Sequence, residues 1–416
     1  MASGLSQRGA DLVREPPLPE YVSEHYARQE EAWDAQARPD GYIALCIAEN
    51  KQVTELLASR LGQVGAMPAQ RLGYDAMVGN LEFRRTLAAF LAERVFRRSV
   101  LPEQIAVLAG AGSVLELVFY AIADAGDGIL VPTPSYAGFW ADLETRDSLQ
   151  IVPVHTRHET QFRLRIEDLE QAYETAERPI RALLFTSPDN PLGRVHGQEE
   201  LTRILDWAQA KDLHVVFDEL YALSVFGERG FVSAASLRES LGPKTHLVWA
   251  FSKDFGASGL RAGVLFSEND DLLRAVDALA YWCACSSETQ YRLQEVISDR
   301  TFVDGYLDQA RQRLAAAYRR VVAGLERHGF SYVPAEAGLF VMCGLRAHLV
   351  EATWPAEHAL WRRLLDEGGV NLTPGRACHC AEPGLFRVCF AGVPEPALDL
   401  ALDRMARVLP LCQGPS

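Results

Sequence analysis

Lysine is almost missing from this chain of 416 residues. Lys51, Lys211, Lys244 and Lys253 are its four lysines, and the other 37 of its 41 basic residues are arginines. Arginine keeps its proton in proteins, whereas a lysine amine can lose its proton and attack a carbonyl group. Lys253, in the segment WAFSKDFGASGLRAG (249–263), is therefore a candidate for chemistry. A surface lysine beside a turn is the simpler alternative.

Long apolar runs and an excess of positive charge are missing as well. No apolar run approaches the roughly 20 residues of a membrane-spanning helix, and the polar first 40 residues lack the apolar stretch of a signal peptide. The net charge of −14 disfavours nucleic acids and anionic membranes as partners. We therefore expect a soluble, cytoplasmic protein.

The eight cysteines do not have the spacing of a zinc site. Their two clusters, Cys283-Ala284-Cys285 and Cys378-His379-Cys380, leave one residue between the thiols, where a zinc knuckle has two. We expect reduced, buried thiols and no metal site.

The order of segments predicts an α/β protein with more than one domain. Helix-like segments such as GQEELTRILDWAQAKD (197–212) alternate with strand-like segments such as GILVPT (128–133) and HVVFDE (214–219). Strands that are apolar throughout are buried on both faces, so a mainly parallel sheet covered by helices is expected. Beyond residue 300 the pattern changes to that of a smaller α+β domain. The predicted division is an N-terminal arm (1–40), a small domain (41–70 and 301–416) and a large domain (71–300).

Four predicted strands end in unusual residues, and open α/β sheets bind ligands at the carboxyl ends of their strands. The segment Gly110-Ala111-Gly112-Ser113 offers backbone N–H groups to a phosphate, or is a plain tight turn. A dinucleotide-binding loop, and with it a nicotinamide dehydrogenase, is disfavoured because Leu115 replaces the third glycine. The other three strand ends carry Asn190, Asp218 with Tyr221, and Lys253 with Arg261.

Together these strand ends supply the groups that pyridoxal 5′-phosphate (PLP) requires. Lys253 would bind the cofactor covalently, and the Asp218 carboxylate would keep the pyridine nitrogen protonated, so that the ring accepts electrons. Asn190 and Tyr221 would hydrogen-bond the 3-oxygen of the ring. The remaining expected contacts are those of Ser252 and Arg261 with the phosphate and of Tyr136 stacked on the ring.

The same segments resemble fold-type I PLP enzymes of the class I/II aminotransferase superfamily, and more closely the 1-aminocyclopropane-1-carboxylate (ACC) synthases and their bacterial relatives. The resemblance runs from about Gly41 to Arg407. NPLG (190–193) and DELYA (218–222) are common to many aminotransferases, whereas the motifs typical of ACC synthases are IAEN (47–50), SKDFGASGLRAG (252–263) and EPGLFRVCFA (382–391). The resemblance implies a large domain with a mainly parallel sheet of the seven-stranded type, a smaller α+β domain, and a homodimer with shared active sites.

The resemblance also assigns roles to individual residues. Lys253 would bind the cofactor and transfer protons, and the amides of Ala111 and Gly112 would face the phosphate. Arg387 would bind the substrate α-carboxylate through a two-pronged contact, and Glu49 would lie near the substrate.

The sequence departs from the ACC synthase pattern at three positions. Ala250 replaces a serine of the phosphate site, and Glu144 stands where an arginine is usual. Met77 replaces a tyrosine that reaches the neighbouring active site, and Tyr74 is a nearby substitute. These changes leave cofactor binding intact and put the fate of the activated substrate in question.

The implied activity is that of a PLP-dependent lyase or transferase acting on S-adenosylmethionine (SAM) or a similar Cγ-activated amino acid. Loss of the Cα proton and of methylthioadenosine would give ACC. Alternatively, a vinylglycine-type intermediate would be captured by a second substrate with formation of a C–C bond, as in bacterial secondary metabolism, where one resembling type uses a nicotinamide nucleotide. An ordinary aminotransferase with a 2-oxo acid acceptor is the rival enzyme. A non-catalytic regulator on this fold would be expected to add a DNA-binding domain, which the acidic chain disfavours.

Overall fold

The computed structural model describes residues 4–409, which form fourteen α-helices and three β-sheets. The helices are α1 (Gln7–Arg14), α2 (Glu20–Arg28), α3 (Thr54–Gly62), α4 (Leu81–Leu91), α5 (Ala111–Ile122), α6 (Phe139–Glu144), α7 (Ile166–Thr175), α8 (Gln198–Ala210), α9 (Phe251–Asp254), α10 (Asp270–Leu279), α11 (Ser287–Ser298), α12 (Arg300–Arg327), α13 (Trp354–Asp366) and α14 (Glu395–Val408). The strands are β1 (Ile43–Ala44), β2 (Ile105–Leu108), β3 (Gly128–Thr133), β4 (Gln150–His155), β5 (Ile180–Thr186), β6 (His214–Asp218), β7 (Thr245–Ala250), β8 (Gly263–Ser267), β9 (Ser331–Val333), β10 (Phe340–Gly344), β11 (Val370–Asn371), β12 (Thr373–Pro374) and β13 (Leu385–Cys389).

The largest sheet has seven strands in the order β2-β8-β7-β6-β5-β3-β4, and β8 is antiparallel to both of its neighbours. Its strands are apolar throughout because both faces are covered: Val215 and Phe217 of β6 pack into one hydrophobic cluster and Val216 into another. The mainly parallel sheet expected from the sequence is confirmed. The sequence analysis did not identify β8, whose short run GVLFS directly follows the glycine-containing segment 252–263.

A second core lies around a four-stranded antiparallel sheet of order β12-β13-β10-β9. The parallel pair β1 and β11 packs into the same core, together with α13, α14 and the second half of α12. Tyr21 of α2 is buried there too, so the N-terminal segment is attached to this core.

The hydrophobic packing bears on the predicted division of the chain, which stays a proposal. Val303 and Ala310 of α12 belong to the core of the seven-stranded sheet, whereas Leu314 belongs to the second core. Val53 and Leu57 also pack with the seven-stranded sheet. We therefore propose that the two domains meet within α12 and that α3 belongs with the larger one. Residues 1–3 and 410–416 of the predicted arm and small domain lie outside the described residues.

Two further findings concern the whole described chain. Within residues 4–409, no helix combines the length and the apolar character needed to cross a membrane. The seven cysteines of this range have free thiols, and all except Cys283 are buried. Cys412 lies outside the described residues.

Candidate active site

Six strands of the seven-stranded sheet end at one edge, and the candidate residues follow five of these ends. All strands except β8 run in one direction, since β3 to β7 are mutually parallel and both β2 and β7 are antiparallel to β8. Open α/β sheets bind their ligands at this edge. The residues found there are those at the start of α5, Tyr136, Asn190, Asp218 and Lys253.

Lys253 lies in the short helix α9, directly after β7. Its Nζ donates a hydrogen bond of 2.7 Å to Ala48 O. Burial, followed by the positive charge of Arg387, lowers the pKa of this amine to about 8, against the opposing effects of Glu49 and Asp218. A substantial fraction of the amine is therefore neutral near physiological pH, as a nucleophile or general base must be.

Asp218 is the last residue of β6 and is 5% exposed. Its Oδ1 accepts a hydrogen bond of 3.1 Å from Leu220 N. Burial raises the pKa of the carboxyl to about 7, while the Leu220 hydrogen bond and the Lys253 charge lower it. A buried carboxylate is costly unless a cation meets it, so this group fits the protonated pyridine nitrogen of PLP.

Three buried side chains connect the two larger sheets. Asn190, which follows β5, donates from Nδ2 to Tyr221 Oη over 3.3 Å, and Arg387 Nη1 of β13 donates to Asn190 Oδ1 over 3.0 Å. Burial raises the pKa of Tyr221 well above its ordinary value, so its hydroxyl keeps its proton and can donate. The predicted partners of the cofactor's 3-oxygen and of the substrate carboxylate are thus held together.

Arg387 is a fully buried cation, 2% exposed. Its Nη2 donates to Cys46 O over 2.8 Å and to Thr373 Oγ1 over 3.1 Å. Its Nε is buried and has no hydrogen-bond partner within residues 4–409. Because a buried donor without an acceptor is costly, this nitrogen fits an anionic ligand such as a carboxylate.

The start of α5 and the guanidinium group of Arg261 form a seat for an anion. Gly110, the N-cap, has a φ of 98°, and no side chain caps the helix. The N–H groups of Ala111 and Gly112 therefore have no partner inside the helix. Arg261 donates hydrogen bonds of 3.1 and 3.3 Å to two backbone carbonyl oxygens, and these neutral acceptors do not cancel its positive charge. A methyl group at Gly110 would collide with the Arg261 guanidinium group. This arrangement fits the phosphate of PLP.

Tyr136 and Ser252 follow β3 and β7 at the same edge of the sheet. Tyr136 is 37% exposed, and the edge of its ring meets Phe139 with centroids 5.3 Å apart. Ser252 is buried, and its carbonyl oxygen accepts a hydrogen bond of 3.0 Å from Ser258 Oγ. The contact of the Ser252 hydroxyl with phosphate stays a prediction.

Glu49 and Tyr74 are more exposed than the other predicted site residues. The Glu49 side chain is 41% exposed, its Oε2 is 3.3 Å from Lys51 Nζ, and its charge acts on the Lys253 amine. Tyr74 is 98% exposed in the single chain and is not brought to the other residues. Its predicted role requires a second subunit and stays a prediction.

Two residues near the site were not identified from the sequence. Asp254 accepts hydrogen bonds from Ser224 Oγ (2.7 Å), Trp249 Nε1 (2.9 Å) and Leu223 N (3.1 Å), and so fixes the helix that carries the lysine. Its place in the motif SKD was the available signal. Thr373 supports Arg387 from a different strand, and nothing in its local sequence indicates this.

The three departures from the expected pattern have defined places. Ala250 is fully buried at the end of β7, and Met77 packs, half-buried, against the hydrophobic cluster around α5. Glu144 Oε1 accepts a hydrogen bond of 3.0 Å from Ile151 N. The Glu144 side chain therefore fixes the backbone at the start of β4 through this hydrogen bond.

Comparisons with known proteins agree with this geometry. The family model described as aminotransferase class I and II matches residues 45–405. The chain is 35% identical over 405 residues to 1-aminocyclopropane-1-carboxylate synthase 8 of Arabidopsis thaliana, which covers 92% of this chain and 86% of that protein. It is 36% identical over 428 residues to 1-aminocyclopropane-1-carboxylate synthase 4 of Oryza sativa subsp. japonica, covering 94% and 86%.

Solved structures share the fold at lower identity. The aspartate aminotransferase from Thermus thermophilus with maleate superposes with a TM-score of 0.80 at 24% identity, covering 98% of this chain and 100% of that chain. A Pyrococcus structure described as protein-A1 gives a TM-score of 0.80 at 23% identity, covering 96% and 98%. At this identity the likeness concerns the arrangement of strands and helices alone.

Proposed function

The chain belongs to the class I and II aminotransferase family and is a PLP-dependent enzyme of fold-type I, and from this premise we propose that it acts on SAM or a similar Cγ-activated amino acid. The proposed reaction removes the Cα proton and expels methylthioadenosine. The family, the fold and the cofactor expected from the sequence are confirmed by the same relationships.

The residues of the sheet edge would hold the cofactor from several sides. Arg261 and the N–H groups of Ala111 and Gly112 would bind its phosphate, and Asp218 would pair with its pyridine nitrogen. Asn190 and Tyr221 would donate hydrogen bonds to its 3-oxygen. When bound, PLP supplies a sink for the electron pair that remains when a proton leaves the substrate Cα.

Lys253 would move the proton. Its amine has a pKa of about 8 because it is buried close to Arg387, so the neutral form needed to take a proton from Cα is well populated. The hydrogen bond to Ala48 O directs the amine toward the segment 46–49. Asp254 keeps the backbone of α9 in place while the side chain moves.

Arg387 would bind and orient the substrate by its α-carboxylate. Arg387 donates hydrogen bonds to three protein oxygens, those of Asn190, Cys46 and Thr373. Its Nε has no such partner within the described residues and is left for a ligand. A guanidinium held in this way presents its fork in one orientation, which fixes the carboxylate relative to Lys253.

The observation that carries SAM as the substrate is the path of residues 46–49. Cys46 O accepts from Arg387, and Ala48 O accepts from Lys253, so this segment bridges the carboxylate-binding and proton-transfer groups. Glu49 is the next residue, and its negative charge acts on the Lys253 amine. A substrate side chain that extends from Lys253 past this segment would meet the Glu49 carboxylate, which we call the anionic rim. Its negative charge favours a sulfonium over a neutral or acidic side chain.

The proposal covers two fates of the four-carbon fragment. Ring closure gives ACC, the product named in the curated relatives, and capture by a second small-molecule substrate gives a new C–C bond, as in bacterial secondary metabolism. Capture of the intermediate is included because Met77 and Glu144 differ from the ACC synthase pattern.

We further propose a homodimer with shared active sites, in the cytoplasm. Large apolar side chains are exposed on two stretches of the single chain, at Leu72 and Tyr74 and at Tyr281 and Trp282. A second subunit would cover such residues, and Tyr74 would then be able to reach the neighbouring site.

The test is incubation of the purified holoenzyme with SAM alone. Methylthioadenosine release, or exchange of the Cα proton with solvent when a second substrate is required, supports the proposal, and mass spectrometry of the four-carbon fragment identifies its fate. If neither occurs while alanine or glutamate converts the cofactor to its pyridoxamine form, an ordinary aminotransferase takes the place of this proposal.

A further inference from the structure

Five arginines line one groove of about 940 Å³ on the surface, and we call it the arginine groove. We propose that it binds a small phosphate-bearing anion of the nucleoside diphosphate class. This site lies outside the residues assigned above to cofactor and substrate, and the proposal does not depend on the proposed function. The five residues are Arg163, Arg165, Arg194, Arg203 and Arg229.

The charge of the groove is opposite to that of the chain. The whole protein has a net charge of −14, whereas the groove has five arginines against three glutamates. Two of these arginines are already paired, Arg165 with Asp168 and Arg229 with Glu336 at 4.0 Å, so the uncompensated charge belongs to the other three. Arg163 and Arg203 form no ion pair within the part of the chain that the structure describes, and Arg194 Nη1 donates to a backbone oxygen, Phe162 O, over 3.0 Å. Local positive charge in an acidic protein attracts anions, and arginine forks suit phosphate oxygens.

Apolar side chains also line the groove, two of them aromatic, and we call these residues the aromatic wall. Phe162, Leu164 and Val333 belong to it together with Tyr332, whose hydroxyl donates to Glu326 Oε1 over 2.8 Å and so holds the ring in place. The volume is that of pockets for drug-sized ligands. Arginines beside an aromatic wall are the pattern expected for a ligand that joins phosphate to a base or another ring.

Two segments of the chain meet in close contact beside the groove. Gly193 O accepts from Glu336 N and Ala337 N at 2.8 and 2.9 Å. Gly193 has a φ of 66°, and a side chain there would come within 2.6 Å of Ala335 and Ala337. The loop after β5 and the segment before β10 therefore form a closely fitted base for the groove. Preformed walls reduce the entropy lost when a ligand binds.

The test is calorimetric titration of the holoenzyme at low salt with ADP, inorganic pyrophosphate and succinate. The cofactor phosphate site is filled in the holoenzyme, and the groove variant below separates binding in the groove from binding at Arg387. We expect ADP to bind once per chain and to bind more weakly as salt is added. The double variant Arg163→Gln/Arg203→Gln should weaken ADP binding by roughly tenfold or more. The control, Arg319→Gln/Arg407→Gln, removes two exposed arginines that lie outside the groove and should leave binding unchanged.

The three ligands separate the sources of affinity. ADP that binds more tightly than pyrophosphate supports a contribution from the aromatic wall, and equal binding supports the phosphate contacts. Absence of ADP binding, succinate binding that the groove variant weakens as much as it weakens ADP binding, or equal losses in the groove variant and in the control would overturn the proposal. The cofactor absorbance of each variant checks that the protein is folded.

Discussion

Glu49→Gln tests whether an anionic rim selects a cationic substrate side chain. The change keeps the shape of the side chain and removes its charge. In this account it lowers kcat/KM for SAM, whose sulfonium loses its attraction to the rim. It should leave cofactor binding intact, since within residues 4–409 the Glu49 side chain pairs with Lys51 and with none of the groups assigned to the cofactor.

The size of the effect follows from the surroundings of Glu49. Unit charges at about 6 Å attract by about 3 kcal/mol at an effective dielectric constant near 20. The Glu49 side chain is 41% exposed and has the Lys51 ammonium at 3.3 Å, so water and the neighbouring cation both screen it. We therefore expect about 1–1.5 kcal/mol, which is on the order of tenfold in kcat/KM.

Lys51→Gln is the matched control, because it removes the opposite charge of the same ion pair. Its effect should have the opposite sign: without a competing cation, kcat/KM for SAM should rise up to about threefold. The assay is the initial rate of methylthioadenosine release at low substrate concentration, at two salt concentrations. The difference between the two variants should shrink as salt is added.

Two results would refute this reasoning. One is a Glu49→Gln enzyme with the kcat/KM of the wild type. The other is a loss of the same size for an uncharged amino acid substrate, which would show that Glu49 supports the fold of the site rather than the charge of the ligand.

Three further predictions concern the cofactor site. Asp218→Asn keeps the shape of a buried group but removes the partner of the pyridine nitrogen, so kcat should fall on the order of a hundredfold at full cofactor occupancy; an unchanged kcat would exclude that role. Gly110→Ala places a methyl group against Arg261 at a φ of 98° and should weaken PLP binding to the apoprotein roughly tenfold, whereas Gly126→Ala, with a φ of 90° and open space, should not. The rate of covalent attachment of PLP to the apoprotein should rise with pH through about 8, the pKa of Lys253. Arg387→Gln should shift this rise to higher pH, since loss of a nearby positive charge favours the protonated amine. A shift to lower pH would contradict the effect assigned to the Arg387 charge.

Much of the sheet edge could be predicted from the sequence because its residues sit directly after apolar strands. Asp218 ends β6 and Lys253 follows β7, so strand prediction alone places them at neighbouring positions. The strand β8 escaped prediction. Because β8 is antiparallel to β7, the two strands are joined through the four-residue helix α9 rather than a full-length crossover helix, and the alternation of strand and helix is missing there.

The substrate side of the site depends on contacts that local sequence does not encode. Arg387 meets Asn190 across 197 positions and Cys46 across 341, and these pairs form only when two separate cores pack together. Asp254 is different, because it neighbours the lysine in sequence. Its role became apparent through the three donors that surround its buried carboxylate.

Proton transfer by Lys253 is tested by following the Cα proton of SAM in the wild-type enzyme and in Lys253→Ala. Both proteins are loaded with PLP, cofactor content is matched by absorbance, and deuterated solvent reports exchange at Cα alongside methylthioadenosine release. We expect exchange or release with the wild type and neither with Lys253→Ala, although that variant still binds PLP and SAM. Exchange at the wild-type rate in Lys253→Ala would contradict the assignment of the proton transfer to Lys253.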